Sequence, residues 1–261
     1  MDVNFTARPT AIYKPFKEST QKALTVYELE TSDIKFLKKF KKQLQNDSFL
    51  KKEKPVYHEI ALYALDSIIK SLKLKKNFFV DDKSVAYLAV CENKVTSFIQ
   101  GNLPKINLAE DKVIHSNRNK AKESELDWLA TIPSRDGTKL PSAAAPSVVS
   151  ELFKYCFKLP QKFKSIYCRS EMPEKCEKSV KFYEKLGFKP VGKPIKMETP
   201  QKPIELNHFS DIDNFKYSTD DVLPMAISRS NAKKTVLNIS KKFGREEIKN
   251  AKSVDLNKLV V

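Results

Sequence analysis

Few side chains in this sequence stand in settings suited to moving protons or binding ions. Cys91, Cys156, Cys168 and Cys176 show no C-x-x-C spacing and have no histidine beside them. They read as reduced thiols rather than disulfides or zinc ligands, and no metal site is expected. His58 stands alone near the start of an apolar helical pattern and reads as a partly exposed structural residue. His115 lies in a polar stretch and reads as solvent-facing. Two carboxylates, Glu125 and Asp127, alternate with Leu126 and Trp128 in ELDWLATIP, a spacing that puts both on one face of a strand. Residues 134–142, a basic loop containing one glycine, follow that strand. One phenol, Tyr183, sits four residues ahead of Gly187 in SVKFYEKLGF.

The elements that must hold these residues follow from local pattern. Residues 164–169 form a short apolar run, consistent with a buried strand. Residues 177–186 place Val180, Phe182, Tyr183 and Leu186 at helical spacing, and Gly187 ends the helix because glycine takes positive φ cheaply. Residues 188–192 then begin a new extended run, which completes a βαβ-like unit. Residues 125–133 predict a strand with Leu126, Trp128, Ala130 and Ile132 on one face and Glu125, Asp127, Leu129 and Thr131 on the other. A helix with Val148, Val149, Leu152, Phe153 and Cys156 follows, with Pro146 in its first turn.

Upstream, residues 24–29 read as a strand, and Thr31-Ser32-Asp33 as an N-cap cluster. The helix after it sets Ile34, Leu37, Phe40 and Leu44 on one stripe. Residues 51–54 read as a loop, and Pro55 opens a second helix to about residue 76. Residues 85–101 read as a β-hairpin around Glu92-Asn93-Lys94. Residues 222–228 read as a last strand, with Pro224 pointing to an edge or a bulge. This order implies a single mixed α/β (α+β) sheet, mostly antiparallel, of six to seven strands with helices on both faces. The expected divisions are an irregular arm at 1–23, a domain at 24–229 with long loops or insertions at 102–124 and 199–220, and a Lys-rich tail at 230–261 with one short helix near 245–252.

The chain has 261 residues, and its 41% apolar content, with 16 Phe and 9 Tyr, is enough for a sizeable core. No apolar run is long enough to cross a membrane, and residues 1–16 lack an apolar leader core, so a cytoplasmic protein is expected. The net charge of +16 raises nucleic acid as a partner. Against it, the excess is nearly all lysine, spread evenly, whereas arginine is the residue that reads bases and phosphates bidentately.

The element order, together with VKFYEKLGFKPVG at 180–192, resembles the GNAT superfamily of N-acetyltransferases over residues 24–228. The segment is similar to that family's A-x-x-F-Y-E-K-L-G-F-x-x-x-G block, with Ser179 in place of the usual Ala and Cys176 in place of a frequent Asn. Thr131-Ile132-Pro133 takes the place of the family's V-x-P strand end, after which a Q/R-x-x-G-x-G/A loop is expected to bind the cofactor pyrophosphate through backbone N–H groups at a helix N-terminus. Two registers are open. One starts at Arg135 and puts Thr138 and Leu140 at the small positions. The other starts at Lys139 and puts Ser142 and Ala144 there, with Ala143 between them; it is preferred because it adjoins the helix. Either way the loop departs from the pattern, since 139–144 contains no glycine and Pro141 lacks a donor.

The resemblance implies acetyl-CoA as acyl donor and a primary amine as acceptor, reacting by direct attack in a ternary complex. It implies that the strands around 126–132 and 165–169 splay apart to hydrogen-bond the pantetheine arm. A backbone N–H on the first strand would bind the oxyanion. Tyr183 would be the general acid, or else only a core residue. Glu125 or Asp127 would be the base. Thr131, Ile132, Pro133, Lys139, Ser142, Ala143, Ala144, Cys176, Ser179 and Phe182 would contact the cofactor. The acceptor pocket would be built from residues 32–76 and 197–220. The acceptor could be a small molecule, a peptide or a protein amine. Two other readings remain: a degenerate GNAT-fold binding protein without catalysis, prompted by the missing glycines, and a basic nucleic-acid-binding protein.

Overall fold

The computed structural model describes residues 7–14, 22–78, 84–102, 123–133, 141–159, 164–171, 178–191, 195–200 and 217–248. In chain order the strands are β1 (Arg8–Tyr13), β2 (Leu24–Glu28), β3 (Ser84–Cys91), β4 (Lys94–Asn102), β5 (Glu123–Thr131), β6 (Ser165–Glu171), β7 (Lys189–Pro190), β8 (Ile195–Pro200), β9 (Tyr217–Ser228) and β10 (Arg245–Glu247). The helices are α1 (Ile34–Gln45), α2 (Ser48–Glu53), α3 (Pro55–Phe78), α4 (Ala144–Lys158), α5 (Ser179–Lys185) and α6 (Arg229–Lys242). Among the described residues the strands form one sheet in the order β10-β1-β2-β3-β4-β5-β6-β9-β7, with β8 also pairing β9. Every pair is antiparallel except β5 with β6, and α4 is the crossover between those two strands.

Each face of the sheet carries its own core. Leu29, Ala86, Leu88, Val90, Phe98 and Ala130 pack against α1–α3, while Val26, Val85, Tyr87, Ala89 and Ile99 pack against α4 and α6. Period-two alternation sends neighbours to opposite cores, and β3 is buried along its whole length because both of its faces are covered. The β3–β4 turn is two residues, Glu92 and Asn93, both at positive φ as a type I′ hairpin requires. His58 is half-buried and donates from Nε2 to Leu44 O at 2.9 Å, a structural contact between α3 and the end of α1.

Several expectations are corrected. Residues 8–13, read as part of an irregular arm, form β1 between β2 and β10. Residues 48–53 form α2, capped by the Asp47 carboxylate accepting from Leu50 N–H at 3.0 Å, where 51–54 read as a loop. The last strand is longer than 222–228 and is not an edge. It starts at Tyr217 and lies between β6 on one side and β7 and β8 on the other. Pro224 fits there because the outer partner changes from β7 to β8 around it, and its carbonyl accepts Val191 N–H at 3.0 Å. Strands β8 and β9 take up both ends of the 199–220 segment, and the run expected at 188–192 is a strand only at Lys189–Pro190. Residues 230–247, read as tail, belong to α6 and β10, and Arg245–Glu247 is a strand where a short helix near 245–252 was expected. These additions raise the six or seven expected strands to ten among the described residues.

One buried polar cluster locks the carboxyl-terminal elements on. Glu151 of α4 accepts from Arg245 Nε at 2.7 Å and Nη2 at 3.1 Å, and from the Tyr13 hydroxyl at 2.7 Å. The Arg245 and Glu151 side chains are only 8% and 6% exposed. Burial, then the neighbouring carboxylate, pushes the Tyr13 phenol far up, so it stays a donor. Gly244, at φ +54°, makes the turn into β10 with its Cα against Lys14 O, where a Cβ would come within 2.4 Å. Glu151→Ala removes the buried partner of Arg245 and leaves it only the half-exposed Glu247, 3.7 Å from Nη1, and is expected to cost about 3 kcal/mol in denaturant unfolding. Glu246→Ala, which removes only the exposed Lys14 pair, is expected to cost under about 1 kcal/mol.

Asp33, in the 3-10 turn Thr31–Asp33 ahead of α1, is buried; its Oδ2 accepts Glu30 N–H at 2.8 Å and its Oδ1 has no partner among the described residues. Burial raises its pKa from 3.8 to about 6. The folded state therefore binds this proton more tightly than the unfolded chain, so stability is lost as pH rises from about 4 to about 6. Asp33→Asn is expected to remove that part of the slope. The check is unfolding free energy of both proteins across this pH range, and parallel curves would refute it.

Candidate functional site

The sheet opens between β5 and β6. Their parallel pairing lasts four residue pairs, from Glu123↔Ser165 to Leu126↔Cys168. Beyond it β5 continues to Thr131 along β4 and β6 continues to Glu171 along β9, with no pairing between them. The register of β5 on β4 shows where the change occurs. Gln100 faces Trp128 and Gly101 faces Leu126, so Asp127 is an extra residue, a β-bulge.

The bulge corrects the expected faces of this strand. Leu126 packs into the α4 core, whereas Trp128, Ala130 and Ile132 pack toward α3 and Leu129 toward α4. One inserted residue exchanges the faces of everything that follows. Glu125, before the bulge and next to Leu126, therefore lies on the α3 side, and Asp127 falls outside the alternation. The two carboxylates do not share a face by simple alternation, and both are half-buried.

Beyond the bulge one edge of β5 is open. Ile132 N–H donates to Thr96 O of β4 at 2.9 Å, so Ala130 also faces β4 and the backbone groups of Leu129 and Thr131 point the other way. With β6 diverged, no strand among the described residues meets them there. Of the three residues expected to contact a cofactor at this strand end, Ile132 is spent, its N–H bonded and its side chain in the core; Thr131 and Pro133 are half-buried.

Helix α4 begins at the carboxyl end of β5. Ala143 is its N-cap and supplies no side-chain bond. Ala144 N–H turns back to Pro141 O at 2.8 Å, and Pro146 has no N–H, so Ala143 and Ala145 supply the first-turn donors without intrahelical partners. Ala143 and Ala144 are buried, and Ser97 of β4 donates from Oγ to Ala144 O at 2.7 Å. Small residues are needed because the helix starts against the strand. Ser142 is exposed in the preceding turn. Lys139 lies outside the described residues, as does Cys176.

Helix α5 follows the carboxyl end of β6. Ser179 at its start is within 2.8 Å of the buried Ser170 of β6, Oγ to Oγ. Its end is a full Schellman motif. Gly187, at φ +91°, donates to Glu184 O at 2.8 Å and Phe188 donates to Tyr183 O at 3.0 Å. The hydrophobic contact that accompanies this cap is Tyr183 against Phe188, edge to face with centroids 5.4 Å apart. Phe182 meets Tyr183 in the same way at 5.4 Å. Tyr183 is buried at 7% exposure. Cys168 and Cys156 are buried thiols, and burial pushes Cys156 up to about 11 and Cys168 higher, which suits neither for nucleophilic work.

The structure thus brings the end of β5, the start of α4 and the start of α5 to one side of the sheet, at the carboxyl ends of its two parallel strands. What the residue pattern missed is the bulge and its supports, Gln100 and Gly101. A glycine inside a strand pattern is a signal for a bulge or a close approach. Here a Cβ on Gly101 would come within 2.6 Å of Leu152 Cδ1 and 3.2 Å of Glu125 O.

The sequence matches no known family and no curated protein. Among solved structures, an uncharacterized protein from Bacillus halodurans aligns with TM-score 0.51 at 15% identity, over 90% of this chain and 97% of that one. That likeness is one of fold. A spermidine N-acetyltransferase chimera based on Vibrio cholerae SpeG aligns with TM-score 0.45 at 15% identity, over 81% and 98%. The PaiA N-acetyltransferase of Thermoplasma acidophilum, in complex with coenzyme A, aligns with TM-score 0.43 at 12% identity, over 78% and 98%.

Gly101→Ala is expected to push Leu152 off the bulge and cost about 1–3 kcal/mol. A denaturant midpoint equal to that of the parent protein would show that α4 does not press on this point.

Proposed function

We propose that this chain is a GNAT-like acyltransferase that moves an acetyl group from acetyl-CoA to a primary amine by direct attack in a ternary complex. The observation that carries the reading is the open edge of β5 beyond the Asp127 bulge. A pantetheine arm has two amides, and an unpaired strand edge with N–H and C=O groups at Leu129 and Thr131 offers them the partners a neighbouring strand would. The start of α4 stands at the end of that edge. Its open N–H groups at Ala143 and Ala145, together with Ser142 and the basic loop carrying Lys139, suit the pyrophosphate. Acetyl-CoA supplies the activated thioester. The chain's own part is to align it, to donate an N–H from the open edge to the developing oxyanion, and to move protons.

In this reading Tyr183 protonates the leaving thiolate, with Phe182 fixing its ring. Ser179 lies on the thiol side, Cys176 keeps only the cofactor contact that the resemblance implies, and Glu125 or Asp127 takes the proton from the amine. Thr131 and Pro133 act through the backbone of the strand end, while Ile132 anchors that end to β4 and the core. A second reading, a GNAT-like domain that binds without catalysis, has its own support. Tyr183 already has a packing role, and the start of α4 has neither glycine nor a full set of donors. The basic nucleic-acid reading retains only the net charge.

A thermal-shift titration separates these readings. Stabilisation by micromolar acetyl-CoA, rising with concentration as linkage requires, is expected. No shift at millimolar concentration sinks the acyltransferase reading. With cofactor bound, Tyr183→Phe is expected to lower turnover about a hundredfold with little change in cofactor affinity. Unchanged turnover would remove Tyr183 from the acid role and leave it only the cap.

A further inference from the structure

Helix α1 has an inner and an outer stripe. The inner one, Phe36, Leu37, Phe40 and Leu44, is buried in the core beneath it. The outer one is Lys35, Lys38, Lys39 and Lys42, at i, i+3, i+4 and i+7, and all four are exposed. With Lys41 the helix carries five lysines in 12 residues and no carboxylate. Helix α3 extends the patch. It runs antiparallel to α1, with His58 against Leu44 O and Asp66 against Lys41 at 2.5 Å. Its later residues Lys70 and Lys73, both exposed beside the 40% exposed Leu74, therefore lie toward the start of α1. Asp66 is taken by Lys41, while Lys38, Lys39 and Lys42 make no ion pair among the described residues.

A merely solvated helix face alternates its signs, because like charges three and four residues apart repel. Lys35 and Lys38 also stand near the amino end of α1, where the helix dipole disfavours cations. Helix α6 is basic too, but two of its four lysines, Lys241 and Lys242, sit in the last turn, where the dipole favours them. The α1 stripe thus lowers the stability of its own helix, and a partner of opposite charge reverses that.

We infer that the outer face of α1, with Lys70 and Lys73 of α3, docks an acidic protein segment, a run of Asp and Glu. The stripe repeats about every 5 Å along the axis, and carboxylates on one face of an acidic helix repeat at the same interval. Lys41 and Asp66 already form the contact, one ammonium to one carboxylate. Carboxylates are favoured over phosphates because α1–α3 contain no arginine, so no side chain there offers the fork that grips phosphate. The stripe lies opposite the residues of α1 that enter the core, so the inference stands apart from the acyltransferase reading and from any acceptor.

The full chain is titrated into fluorescein-labelled deca-glutamate and read by anisotropy, beside decathymidylate and phosphatidylserine vesicles. Saturable binding to deca-glutamate is expected at low salt, and binding about tenfold weaker at physiological ionic strength. Lys38→Gln, Lys39→Gln and Lys42→Gln together are expected to weaken it about tenfold. Lys233→Gln, Lys234→Gln and Lys241→Gln on α6 remove the same charge from exposed positions and are expected to change it less than about twofold. The α1 triple variant is also expected to unfold at a higher denaturant concentration, because like charges are removed. No saturable binding to deca-glutamate overturns the inference. Equal weakening by the two triple variants does so too, since net charge would then be the whole cause. Tighter binding of decathymidylate or of vesicles would overturn it and assign the face to nucleic acid or to lipid. A lower denaturant midpoint in the α1 variant, with peptide binding unchanged, would make the stripe structural and also overturn it.

Discussion

One extra residue, Asp127, governs the half of the sheet around β5 and β6. A strand has two hydrogen-bonding edges, and β5 can follow both neighbours only while their twists agree. It keeps β4 along nearly its whole length and follows β6 for four residue pairs. The bulge adds local twist and bends the strand, so the parallel neighbour is lost and the antiparallel one kept. Parallel pairing is the slightly weaker of the two, which fixes which side opens. The proposed cofactor path depends on this choice. The open edge of Leu129 and Thr131 and the placing of Trp128 toward α3 both follow from one slip in register. Gly101 makes the slip compatible with α4, because a larger residue there would meet Leu152.

The opened sheet is held from its far edge. Strand β1 lies between β2 and β10, and the Glu151–Arg245–Tyr13 cluster ties that edge to α4. Helix α4 also crosses from β5 to β6, so the same helix is fixed to the closed edge and spans the open one. Thr235 of α6 donates to Leu186 O at 2.6 Å, which ties the end of α5 to the same carboxyl-terminal unit. The helices that flank the gap are therefore braced by residues 230–247, part of the segment that sequence alone marks as a basic tail.

The reason for that misreading is physical. Most of the legible elements carry their signal in one contiguous pattern: the hairpin at 85–101, the stripe of α1, the Phe182-Tyr183 helix with its glycine stop. Strand β1 and strand β10 are short, and their hydrogen-bond partners lie far apart in the chain, so no local period announces them. Helix α6 is rich in lysine because only a narrow stripe, Ala232, Thr235 and Ile239, is buried. The bulge hides for a different reason. ELDWLATIP alternates well enough to pass for a regular strand, and only the facing strand, where Gln100 meets Trp128 and Gly101 meets Leu126, reveals that one residue is surplus. Of the residues singled out from sequence, Ser142, Ala143, Ala144, Thr131 and Ser179 lie where the two parallel strands end. Ile132 is committed to β4 and the core, and Lys139 and Cys176 lie outside the described residues.

Tyr183 carries two arguments at once, and they do not conflict. The helix cap uses its carbonyl, which accepts Phe188 N–H, and the face and edge of its ring, which meet Phe188 and Phe182. Both uses involve the carbonyl and the ring. A phenol intended to deliver a proton must be held in one rotamer, because each freely turning bond lowers the fraction of time spent in reach. A ring clamped between two phenylalanines at the end of a capped helix meets that demand before any ligand arrives. The packing role is thus the preorganisation that a proton donor requires, and burial of the ring is no argument against the chemistry.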